Sequence, residues 1–259
     1  MAFPVNLPNE FRLSYEVPFA TVEMGKDEVD FSMLPPTAHC QFTPAIYGGD
    51  RPLPYREAIN WIDTSSDHYQ GFGCLAASDC TVHLFADQTD NAVAYPVLQH
   101  VLLSTRSSLA WNPAYWFTQE GSHSFRLALY PHSGGWRARY RDSIAFNFPL
   151  LAFVASGKEN EGKSLPAPGE FLRLEPGNLI MTALKKSEDD NSLALRFYEA
   201  EGRFTRARVQ LAQPISVAWQ TNLIEDEPKP VPVTSQGVLE LNIKPWEIVT
   251  LRLQISHRG

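Results

Sequence analysis

The sequence predicts a mainly β protein. Two observations carry that expectation: short apolar runs recur at spacings of about ten residues with turn-forming clusters between them, and twenty prolines fall mostly between those runs. Proline removes a backbone donor and breaks helix interiors, so this placement suits strands separated by turns. A third observation narrows the class. No amphipathic helical pattern alternates with the β-runs, which excludes a parallel α/β sheet.

In chain order, β-runs are expected at 59–63, 71–76, 81–86, 94–103 and 124–130. The composition then shifts at Ser156-Gly157-Lys158-Glu159-Asn160-Glu161-Gly162-Lys163-Ser164-Leu165-Pro166-Ala167-Pro168-Gly169, a polar, Gly- and Pro-rich stretch with little to bury. It reads as a linker or a long exposed loop. Beyond it, 179–185 and 193–198 form a hairpin around the turn cluster Ser187-Glu188-Asp189-Asp190-Asn191-Ser192. Leu193, Leu195 and Phe197 alternate with Ser192, Ala194 and Arg196, which gives one buried and one wetted face. A second turn is expected at Glu201-Gly202, residues 226–232 read as an extended connection, and the last run ends at Ile255. The result is two β-sandwich units, residues 1–160 and 170–259. At 259 residues with 44% hydrophobic content, the chain has enough to bury in both.

The block 172–203, LRLEPGNLIMTALKKSEDDNSLALRFYEAEGR, also resembles the C-terminal β region of α-mannosidases of glycoside hydrolase family 38. A strand ending in a lysine, an acidic turn, and a strand leading to an arginine, an aromatic residue and Glu-x-x-Gly follow in the family's order. Phe11 to Glu23, Trp61-Ile62-Asp63 leading to Gly71-Phe72-Gly73-Cys74-Leu75, and Leu102 to Ser107 resemble the family in turn. Gly121 to Phe125, Leu129 to Trp136 and Leu241 to Leu251 continue the same order. The resemblance implies a large galactose-mutarotase-like super-sandwich followed by a smaller β-sandwich. It also implies a zinc-dependent α/β catalytic domain that nothing before Phe11 resembles. The chain is therefore expected to be an excised or separately encoded C-terminal part, inactive alone, with the mannosidase catalytic domain as its partner.

The residues agree with an inactive part. The seven histidines are scattered rather than set at ligand spacings, and Cys74, Cys80 and Cys40 form no metal framework. No cofactor is expected in this chain, zinc being confined to the catalytic domain. Gly71-x-Gly73-x-x-Ala76 mimics a dinucleotide fingerprint but runs into a turn and another β-run, with no helix to receive a pyrophosphate. A net charge of −7 argues against nucleic acid and anionic membranes as partners. No apolar run reaches the eighteen or so residues that span a bilayer. Residues 1–9 lack the basic start and apolar stretch of a signal peptide, and three cysteines suit free thiols in a reducing compartment, so a cytoplasmic location is expected.

Four residues are candidates for contact with sugar. Arg106 is the match, by resemblance, to an arginine at the rim of the catalytic pocket, where its guanidinium would hold a hydroxyl or carboxylate; the plainer reading is a surface ion pair. Trp111, Tyr115 and Trp116 lie in a proline-broken aromatic loop. Such rings stack on sugar faces or pack against a neighbouring domain. A stand-alone carbohydrate-binding module using that loop is the alternative function, and a mutarotase-like sugar epimerase the third. His123 and His132, at the two ends of the expected strand 124–130 and about 30 Å apart on an extended count, read as structural histidines bonded to nearby backbone. Arg137, Arg139 and Arg141 form a basic row if extended and spread around the axis if helical. Asp87 and Asp90 sit in ordinary turn chemistry.

Overall fold

The computed structural model describes residues 11–23, 27, 55–66, 70–79, 82–86, 97–100, 102, 120–152, 169–188 and 190–256. The chain divides into two compact units, Met1–Leu150 and Leu151–Gly259. The stretch 156–169 expected to link them lies, Gly169 apart, outside the described residues.

In the first unit, β1 (Phe11–Val17), β2 (Ala20–Glu23), β4 (Trp61–Ser66), β5 (Phe72–Ser78) and β8 (Leu127–His132) form an antiparallel sheet in the order β2-β1-β4-β5-β8. A second sheet pairs β3 (Tyr55–Glu57), β6 (Val82–Ala86) and β7 (Val97–His100) in the order β3-β6-β7. Side chains alternate between faces along each strand. On one face of the larger sheet Tyr15, Ile62 and Ala76 stand in register and make a small buried core with Ala58, flanked by Leu13, Val17 and Val22. The other face holds Trp61, Asp63, Ser65 and His132.

After β8, still within the first unit, the chain turns helical: a 3₁₀ turn, Trp136–Ala138, runs into α1 (Tyr140–Asn147). This helix departs from the sequence expectation. Its eight residues, YRDSIAFN, bury only Tyr140 and Ser143, so no apolar stripe betrays it. What places it is tertiary contact. Trp136 stacks on Trp61 with centroids 5.4 Å apart, and Tyr140 meets Trp136 edge-on at 5.5 Å. The basic row accordingly spreads rather than lining up. Arg137 lies over the Trp136 ring and Arg139 pairs with Asp142 at 3.0 Å on the surface.

The second unit is a sandwich. One sheet runs β10 (Leu179–Lys186), β11 (Leu193–Glu199), β16 (Ile248–Ile255), β13 (Ile215–Thr221), β14 (Lys229–Val231). Facing it are β15 (Val238–Ile243), β12 (Thr205–Leu211) and β9 (Leu172–Glu175). The expected hairpin is therefore present as β10 and β11, and the proline-rich connection contributes the short edge strand β14. Proline is tolerated at an edge because the donor it lacks would face outward.

The sandwich core draws on both sheets: Leu195, Phe197, Leu251 and Leu253 from one, Ala207, Val209, Leu239 and Ile243 from the other. In β12 the inward residues Thr205, Ala207, Val209 and Leu211 alternate cleanly with Arg206, Arg208 and Gln210. In β11 the alternation fails. Ala194 and Tyr198, on the face expected to be wetted, are 3% and 6% exposed. The register supplies a reason for Ala194, since it stands directly between Lys185 and Arg252. Long cationic side chains lay their aliphatic stems over a small neighbour while their charges stay near water.

Candidate functional site

Three polar centres organise the described residues, two in the second unit and one in the first. The first surrounds Glu199, the last residue of β11, whose side chain is fully buried. One carboxylate oxygen accepts from Asn178 Nδ2 at 2.7 Å and from the Glu201 N–H at 2.8 Å. The other accepts from the N–H groups of Arg203 at 3.0 Å and Trp246 at 3.2 Å. Asn178 also donates to Thr205 Oγ1 at 2.7 Å. One acidic side chain thus satisfies backbone donors from two turns that strand pairing leaves over. Gly202 completes the arrangement. It sits at φ 69°, and a Cβ there would fall 2.6 Å from Cζ2 of Trp246, so only glycine fits beneath the indole. The Glu-x-x-Gly pattern of the sequence is a device for closing this turn.

A second centre lies at the opposite end of the β10–β11 hairpin. Asp190 accepts from the Ser192 hydroxyl and from the Ser192 N–H at 2.8 Å, and pairs with Arg252 Nη2 at 2.6 Å. These hydrogen bonds, Ser192's first and Arg252's after, lower its pKa to about 2. Glu225, only 3% exposed, accepts from Ser187 Oγ at 2.9 Å and the Glu188 N–H at 3.1 Å, and pairs with Lys185 at 2.8 Å. The Lys185 ammonium leads the causes that hold the Glu225 carboxyl below its ordinary value.

The Asp190 shift gives a pH-dependent expectation. An unfolded aspartate titrates near 3.9, so an aspartate depressed to about 2 stabilises the fold above about pH 4 and loses that contribution as pH falls toward 2. Its side chain is 37% exposed, so solvent screening keeps the benefit small. Urea midpoints should show wild type above Asp190→Asn at pH 6, with the gap closing between about pH 4 and pH 2. A gap independent of pH across that range would refute the assignment.

The third centre is in the first unit. His132 Nε2 lies 2.5 Å from Asp63 Oδ1, with side chains 1% and 0% exposed. The register explains how they meet. His132 is opposite Gly73, and Gly73 is opposite Ser65, two residues along the same face from Asp63. On this face the imidazole reaches across β5 to Asp63, and at Gly73 itself a Cβ would run into the Thr64 carbonyl of β4. Among the described residues Asp63 Oδ2, His132 Nδ1 and Trp61 Nε1 have no hydrogen-bond partner. The partner of His132 is a carboxylate from a strand distant in sequence and not the nearby backbone expected. His132 ends β8, which begins at Leu127, three residues later than expected. His123 precedes the strand and stacks on Phe125. Both side chains are buried, whereas the acid and base of an epimerase have to reach a substrate.

Arg106, Trp111, Tyr115 and Trp116 all lie outside the described residues, as do Asp87 and Asp90. Among the described residues no three His, Cys, Asp or Glu side chains converge where they could hold a metal ion. Cys74 is a free thiol whose pKa is raised by burial first and by the Asp63 charge second. No helix among the described residues is long and apolar enough to cross a membrane.

Fold and polar centres together define a two-unit β protein, the second unit a sandwich closed by buried carboxylates. Residues 178–251, the span holding all the Glu199 and Glu225 bonds, match the family model described as the glycosyl hydrolases family 38 C-terminal beta sandwich domain. The chain is 26% identical over 208 residues to α-mannosidase 2C1 of Homo sapiens, covering 77% of this chain and 18% of that protein. It is 29% identical over 146 residues to α-mannosidase 2C1 of Mus musculus, covering 52% and 13% respectively. The crystal structure of an α-mannosidase from Enterococcus faecalis V583 superposes with a TM-score of 0.64 at 16% identity, over 98% of this chain and 25% of that one. A glycosyl hydrolase family 38 protein from Enterococcus faecalis gives 0.59 at 16% identity, over 98% and 26%. In sequence and in fold the chain resembles the C-terminal β region of glycoside hydrolase family 38 α-mannosidases. It spans less than a fifth of the length of the curated relatives it matches.

Proposed function

We propose that this chain is a non-catalytic C-terminal portion of an α-mannosidase-like glycoside hydrolase acting in mannose or glycan metabolism in the cytoplasm. It supports a zinc-dependent catalytic domain, carried on the same polypeptide or on a separate subunit, and lines the outer sugar subsites, with Arg106 at the rim. The chain itself uses no cofactor, and neither nucleic acid nor membrane is its partner. One observation carries the reading: within the segment matched to the family, the buried acids Glu199 and Glu225 are committed to holding backbone turns. A carboxylate saturated by donors and closed off from solvent does not protonate a glycosidic oxygen or attack a sugar carbon.

The purified chain is therefore expected to release no product from aryl α-mannosides and to contain no stoichiometric zinc. One zinc per chain by metal analysis, or hydrolysis that a chelator stops, would overturn the proposal.

A further inference from the structure

We draw no further inference here: the strongest candidate, the buried cluster of Trp61, Asp63 and His132 on the larger sheet of the first unit, belongs to the polar centre already described, and nothing in the structure shows what the unpartnered atoms Trp61 Nε1, Asp63 Oδ2 and His132 Nδ1 bind.

Discussion

Glu199→Ala is expected to destabilise the second unit by on the order of 3 kcal/mol or more, because it strands the backbone N–H groups of Glu201, Arg203 and Trp246 without an acceptor and leaves Asn178 Nδ2 with Thr205 alone. Each buried donor left unpaired costs about 1–3 kcal/mol, partly relieved where water enters. Glu199→Gln should recover only part of the loss. Each carboxylate oxygen takes two donors, so an amide must turn its own NH₂ toward a pair of them. The contrast is Glu240→Ala, which removes a surface ion pair with Arg206 whose partners are 75% and 44% exposed. That change should stay within about 0.5 kcal/mol. Urea unfolding with an unchanged slope measures both. A Glu199→Ala shift no larger than that of Glu240→Ala would show that the carboxylate does not hold the turn.

His132→Ala and Asp63→Ala should each cost the first unit about 3 kcal/mol, since either leaves a buried polar partner with nothing to bond. Replacing both by leucine should cost less than the sum of the single changes, because the polar demand disappears together with its supply. The near-UV circular dichroism of the stacked pair Trp61 and Trp136 reports locally on this face. Strict additivity in the double-mutant cycle, with the near-UV signal intact in both single variants, would mean that the two side chains are not coupled.

Much of the second unit was legible in the sequence. The alternation of Leu193, Leu195 and Phe197, the acidic turn, and Glu-x-x-Gly are local patterns with a local cause, and β10, β11 and the turn at Gly202 appear where those patterns place them. The burial of Ala194 was not legible, because it depends on Lys185 and Arg252 arriving from two other strands. Helix α1 escaped for a related reason. Its residues carry no amphipathic stripe, and it is held by Trp136, which stacks on a tryptophan some seventy-five residues earlier in the chain and receives Tyr140 edge-on. Among site residues, Glu199 stood in a motif, yet nothing local showed that four donors converge on it.

By itself, the sequence determined the class: strand periodicity, turn residues and proline placement act over a few residues, where backbone sterics and side-chain alternation are sufficient causes. The mannosidase-like order of its motifs belongs to that same linear information. Tertiary structure alone decided which charged and polar side chains meet. The pairing of His132 with Asp63 joins strands sixty-nine residues apart in the chain, and the bracing of Glu225 requires a hairpin turn some thirty-seven residues away. Strand register sets such meetings, and register is a property of the assembled sheet: one residue of slip would send every one of these side chains to the other face.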